Sequence, residues 1–123
     1  MHLLDSNILI SHLNGNTVIK KWIKEKIERE KLFISTITKI EVLSFPGLFG
    51  NNLYEAEKFL DLFSEIGLYG NISSMTSDIK RNANLPLADS IILATAISRK
   101  MTLVTNDQIL IKKAKNFVEV LSI

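Results

Sequence analysis

Hydrophobic positions along the chain fall into two spacings that alternate, short compact runs and longer stretches of helical period. Residues 2–5 read as a short strand, and 8–13 as a helical turn closed by Asn14-Gly15. Over 17–30, Ile19, Trp22, Ile23 and Ile27 share one helical face, with lysines and glutamates on the solvated faces. Residues 32–35 are compact and apolar enough for a second strand, and 38–43 start a helix that Phe45-Pro46-Gly47 interrupts. Leu53, Ala56, Leu60 and Phe63 mark an amphipathic helix, followed by a weak strand over 66–69 and a polar helix over 73–83. The segment 87–100 is apolar on most sides, which predicts a helix buried between layers. A strand over 101–104, a helix over 107–115 and a strand over 117–121 complete the pattern. Strands alternating with helices predict a three-layer α/β/α fold with a mainly parallel sheet of four or five strands.

Composition narrows the reading only a little. A chain of 123 residues suits one domain, 1–123, with a real core, and 46% hydrophobic against 23% charged residues is an ordinary globular balance. The formal charge of +2 gives no whole-molecule basic field, so a nucleic-acid site would have to be local. No cysteine is present, which excludes disulfides and thiolate metal sites. No secretory signal is visible and no apolar run approaches the roughly 20 residues of a membrane span, so the expectation is a soluble, cytoplasmic protein.

Charge placement changes the picture more. Asp5 ends the first strand, Glu41 lies near the start of the helix after the second, Asp89 sits in the first turn of the buried helix, and Asp107 follows the strand ending Leu103-Val104-Thr105. Each has a structural explanation when taken singly. Thr38-Lys39-Ile40-Glu41 fits a capping box. Pro86 fits a first helical position, with Asp89 complementing the helix dipole. Asp5 or Ser6, and Asn106 or Asp107, fit N-caps. Taken together they point elsewhere. In a parallel α/β sheet the carboxyl ends of the strands share one edge, where ligand crevices form. Two carboxylates about 5 Å apart at an effective dielectric near 20 repel by roughly 3 kcal/mol, several times the contribution of a cap. A hard divalent cation, which prefers carboxylate and water oxygens, would offset that repulsion and support hydrolysis of a phosphodiester.

At these residues the chain resembles the PIN-domain ribonuclease family, and within it the VapC-type toxins. Leu4-Asp5-Ser6-Asn7-Ile8-Leu9-Ile10 is similar to the family's opening motif, and Ile34-Ser35-Thr36-Ile37-Thr38-Lys39-Ile40-Glu41 to the segment carrying its glutamate. Leu85-Pro86-Leu87-Ala88-Asp89-Ser90-Ile91-Ile92-Leu93-Ala94-Thr95-Ala96 resembles its most recognisable stretch, and Leu103-Val104-Thr105-Asn106-Asp107 its fourth acidic site. The resemblance runs the whole chain. It implies a PIN-like nuclease domain in which Asp5, Glu41, Asp89 and Asp107 bind Mg²⁺ or Mn²⁺ and cut RNA, with Asn7 and Thr105 orienting carboxylates or water. It also implies a small antitoxin partner. Two departures stand out: Asn106 competes with Asp107 in the fourth motif, and 47–52 match no family motif.

The remaining residues are read more plainly. Phe45, Leu48 and Phe49, in a segment broken by Pro46 and Gly47, either fold back on the core or form an apolar patch for a homodimer mate or an antitoxin helix. His2 and His12 read as strand-edge and helix-surface residues. Ser6 and Ser90 lack a histidine partner at a suggestive spacing, which disfavours a serine nucleophile. A haloacid-dehalogenase-like phosphatase fits poorly, because that chemistry needs an aspartate at position 7, where Asn stands. A solitary RNA-processing nuclease and a catalytically silent protein-binding scaffold are the alternatives within the fold.

Overall fold

The computed structural model describes all 123 residues. Five strands form one sheet: β1 (His2–Leu4), β2 (Leu32–Ser35), β3 (Ser64–Ile66), β4 (Thr102–Val104) and β5 (Val120–Leu121). Their order is β3-β2-β1-β4-β5 and every pairing is parallel. The helices are α1 (Ser6–Leu13), α2 (Thr17–Ile27), α3 (Thr36–Leu43), α4 (Gly50–Leu60), α5 (Asn71–Ala83), α6 (Leu87–Arg99) and α7 (Gln108–Ala114).

The period of two along each strand sorts side chains to the two faces. Leu3 and Leu103 pack with α5, α6 and α7 through Ile72, Leu93 and Leu110. Their chain neighbours Leu4 and Val104 pack on the other face with Ile8, Ile19 and Leu60 of α1, α2 and α4. This is the three-layer α/β/α arrangement expected. The helix predicted to be buried is α6, in which Ser90 to Ala96 are all buried between α5 and the sheet. No helix is long and apolar enough to cross a membrane.

Several boundaries differ from the sequence expectation, each for a local reason. The third strand is 64–66 rather than 66–69: Ile66 is its last and buried residue, while Leu68 and Tyr69 remain exposed in the following turn. The last strand is only Val120–Leu121, because Phe117 stands exposed in the turn before it. The helix after β2 begins at Thr36, two residues early, because Ser35 takes the N-cap and its hydroxyl accepts from the Ile37 amide at 3.2 Å. Thr38 is therefore a buried interior residue with an unpartnered hydroxyl, and there is no Thr38–Glu41 capping box. Pro86 occupies the N-cap of α6 rather than its first helical position. His2 lies at the amino end of the central strand, half-buried beside Glu30 and edge-on to Trp22. His12 is not a plain surface residue either, since its ring stacks on Phe59 with centroids 4.0 Å apart and its Nδ1 is buried without a partner.

The strand order carries a functional consequence. The chain builds leftward from β1 through β2 to β3, then crosses to the other side of β1 to lay down β4. The direction of winding thus reverses between β1 and β4. A crevice opens at the carboxyl ends of the strands at such a switch point.

Candidate active site

Asp5 sits at that crevice because β1 ends at Leu4 and α1 starts at Ser6. Its amide donates to the Val104 carbonyl at 2.9 Å, locking it to the adjacent strand. Asp5 is the N-cap of α1, with Oδ1 accepting from the Ser6 amide at 2.8 Å. Oδ2 accepts from the Thr105 hydroxyl at 2.7 Å. The capping role and the cleft position therefore coexist in one side chain. Each oxygen uses one lone pair this way and keeps another.

Across the switch point, the chain leaves β4 through Thr105, Asn106 and Asp107. Thr105 is fully buried and ties both acids together: it donates to Asp5, and its oxygen accepts from the Asp107 amide at 3.1 Å and from Asn7 Nδ2 at 3.4 Å. Asp107 caps α7, its Oδ1 accepting from the Ile109 and Leu110 amides at 3.0 and 3.2 Å. Asn106 turns away, with Oδ1 accepting from the Ser122 hydroxyl and the Ile123 amide. Its backbone N–H donates to Asn7 Oδ1 at 3.4 Å.

Glu41 reaches the same edge from within α3, as the sixth residue of that helix rather than near its start. Its Oε1 accepts from the Ser6 hydroxyl at 2.9 Å, which links it to the residue after Asp5. Ser6 is the member of this group that sequence reasoning placed only as a cap or a rejected nucleophile. Its partner lies 35 positions away, so no local spacing could have exposed it. Asp89, in the first turn of α6, makes no side-chain hydrogen bond.

The electrostatics bind the four acids into one group. Burial pushes the Asp5 carboxyl above its ordinary range, and the charges of Glu41 and Asp107 add to that against the hydrogen bonds from Thr105 and Ser6. Asp89 is pushed up to about 6, by burial first and then by Asp5, Asp107 and Glu41. The ion pairs of the molecule are His2–Glu30, Lys39–Glu65 and Arg81–Asp78, none of which involves these four. As they stand, no three His, Cys, Asp or Glu side chains are arranged to hold a metal ion. The chemistry of the donor set nevertheless fits a hard divalent cation: four carboxylates that feel one another, with free lone pairs and no positive partner.

Phe45, Leu48 and Phe49 lie apart from the acids, between α3 and α4. Phe45 is 42% and Phe49 75% exposed, so the rings do not fold back on the core, while Leu48 is half-buried. Phe45 and Leu48, together with Leu13, Asn52 and Glu55, line a hollow of about 300 Å³, and Phe49 stands outside it.

An all-parallel α/β domain with four acids at the strand-end side of its switch point defines the class. The PIN domain model matches residues 2–116, and the chain belongs to the PIN domain family. Among solved structures, a toxin–antitoxin complex from Klebsiella pneumoniae is 26% identical, with 98% of this chain and 96% of that one covered and a TM-score of 0.82. VapBC2 from Rickettsia felis, bound to a DNA fragment from its promoter, is 19% identical over 99% and 98%, with a TM-score of 0.83. FitAcB from Neisseria gonorrhoeae is 23% identical over 98% and 96%, with a TM-score of 0.77. No curated protein matches the chain.

Proposed function

We propose that the protein is a metal-dependent endoribonuclease and the toxin of a toxin–antitoxin pair, acting in the cytoplasm. One observation carries the nuclease reading: four acids from four separate segments gather at the carboxyl ends of the strands, where the charges of Glu41 and Asp107 raise the proton affinity of both Asp5 and Asp89, with no cation paired to any of them. Asp5, Glu41, Asp89 and Asp107 would hold Mg²⁺ or Mn²⁺. When bound, such an ion supplies a polarised water nucleophile at neutral pH and neutralises charge building on the phosphate.

The chain's own residues do the positioning. Thr105 holds Asp5 through Oδ2 and the Asp107 backbone through its amide, so the two carboxylates are fixed relative to one another. Ser6 holds Glu41 by the hydroxyl hydrogen bond, and its own backbone is tied to Asp5. Asn7 braces Thr105 and Asn106 from the side. Asp89 stays free of hydrogen bonds and can reorient towards a ligand.

The test is cleavage of an RNA oligonucleotide in Mg²⁺, in Mn²⁺ and in EDTA. Asp5→Asn and Asp89→Asn should each lower the rate by about 100-fold or more, beyond the loss usual for a residue that merely supports a ligand. A variant that cuts at the wild-type rate is not missing a ligand.

The partner reading rests on the exposed rings of Phe45 and Phe49 and on relatives that are toxin–antitoxin assemblies. A small antitoxin would cover Phe45, Leu48 and Phe49, with a helix seated over the hollow that Phe45 and Leu48 line. Co-expression with the candidate antitoxin should show weaker complex formation for Phe49→Asp, and an unchanged complex would rule this surface out.

A further inference from the structure

If the cleft cuts RNA, its carboxylates repel the strand they must receive, so the cations on its rim decide how the backbone is held. The elements reaching that rim are α1, α3, the end of α5, the first turn of α6 and residues 105–107. No lysine or arginine lies in α1, in the first turn of α6 or in 105–107. Lys39 of α3 is 3.4 Å from Glu65, and Arg81 of α5 is paired with Asp78. Lys80, on the last turn of α5, has no carboxylate partner.

Its position follows from the α5–α6 hairpin. Asn84 ends α5 in a left-handed conformation (φ 53°) and turns the chain into Leu85-Pro86, which opens α6 three residues before Asp89. Lys80 Nζ donates to the Leu85 carbonyl at 3.3 Å. The same oxygen accepts from the hydroxyl of Ser90, the residue after Asp89, at 3.4 Å. One shared acceptor thus separates the ammonium from the turn that carries an acid of the cleft. The ammonium does not neutralise that acid, because the charges felt by Asp89 are those of Asp5, Asp107 and Glu41.

We propose that Lys80 is an RNA-binding residue, donating to a backbone phosphate oxygen of the strand on the α5–α6 side of the cleft. The assignment rests on the ribonuclease reading above. Lysine suits the task, since its ammonium has three donors and can keep the Leu85 carbonyl while reaching a phosphate. A phosphate contact positions the strand and carries no sequence information, so Lys80 contributes affinity without base preference.

The experiment is binding of a fluorescein-labelled single-stranded RNA oligonucleotide in EDTA, followed by anisotropy across a salt series. Lys80→Met, which keeps the aliphatic stem, should weaken binding about 3- to 10-fold at low salt. It should also flatten the slope of log K against log salt by about 0.7, the share of one phosphate contact on a single strand. Lys80→Arg should restore both, and Arg81→Met, whose charge is already paired, should leave the slope unchanged. In Mg²⁺, Lys80→Met should raise KM and spare kcat. A merely structural role, capping the end of α5, would instead lower the melting temperature and leave the salt slope alone. If the wild type binds RNA and Lys80→Met binds it with the same affinity and slope, the assignment to Lys80 falls while the nuclease reading stands. If Arg81→Met weakens binding as much, a diffuse field is at work and the assignment falls likewise. If the wild type binds no RNA and cuts none, the ribonuclease reading itself falls, and Lys80 with it.

Discussion

The two edges of the sheet treat part-buried acids in opposite ways. At the amino edge, Glu30 precedes β2 and meets His2 at the start of β1. The hydrogen bond from His2 is the main reason its carboxyl lies below the ordinary range. At the carboxyl edge Asp89 has burial and three neighbouring acids against it, and is pushed up to about 6. Both edges belong to one sheet of two- to four-residue strands, so fold geometry alone does not require the difference. Stability favours the arrangement at the amino edge. The carboxyl edge keeps a charge pattern that protonation or a bound cation would relieve, a departure from local consistency of the kind that functional sites often carry.

The largest effect that would sharpen this contrast is stabilisation by metal. At roughly 100 times its dissociation constant, Mg²⁺ or Mn²⁺ should add about 2.7 kcal/mol to the folded state, several degrees in melting temperature for a chain of this size. Asp89→Asn should reduce that response and Glu30→Gln should not. Differential scanning fluorimetry in EDTA and in Mn²⁺ measures it. An equal response in both variants would mean that the carboxyl edge is not where the ion binds.

How much of this contrast is legible before folding depends on how local its causes are. The strand-end position of Asp5 follows from Leu3-Leu4 and the polar residues after them, and the burial of α6 from its run of apolar side chains. The parallel sheet follows from alternation of the two periods. The hub role of Thr105 was visible only as a motif position, because its contact with Asp5 spans 100 residues. The Ser6–Glu41 bond has no local signal at all. Capping boxes, by contrast, are local patterns that mislead: Ser35 displaced Thr38 because the strand ends one residue before Thr36, and strand ends depend on pairing partners. Asn106 and Asp107 were equivalent as caps in sequence, and the choice fell to Asp107 once Asn106 was engaged by residues 122–123.

A smaller effect separates the edges by pH. The Asp89 carboxyl binds its proton more tightly folded than unfolded, so between about 4 and 6 the folded state carries more protons. Stability of the metal-free protein should therefore fall as pH rises through that window. The full linkage for two units is near 3 kcal/mol, and solvent screening of a half-exposed group reduces it to about 1 kcal/mol. Asp89→Asn should reduce this slope, leaving the part that Asp5 contributes, and be more stable than wild type at pH 7 in EDTA. Urea melts at pH 4.5 and pH 7 report it, and a wild-type protein that gains stability across the window would contradict the repulsion described for the cleft.

The smallest effect has the opposite sign and comes from the amino edge. The Glu30 carboxyl is held below its ordinary value, so its pairing with His2 contributes stability above about pH 4.5 and loses it as pH falls through the folded value. Its side chain is about one-third exposed, and exposed pairs contribute between zero and about 1 kcal/mol. Glu30→Gln should therefore cost a few tenths of a kcal/mol at pH 7 and progressively less as pH falls through the folded value, with RNA cleavage unchanged throughout. The two variants then move in contrary directions at pH 7 in EDTA, Asp89→Asn upward and Glu30→Gln downward, and both differences shrink towards the wild type as pH falls. The crossing is diagnostic because a general effect of removing negative charge would move both the same way in a protein of net charge +2. Urea melts of the two variants side by side at pH 7 and pH 3 read it directly. A Glu30→Gln protein as stabilised as Asp89→Asn at pH 7 would mean that the two edges do not differ in how their charge is compensated.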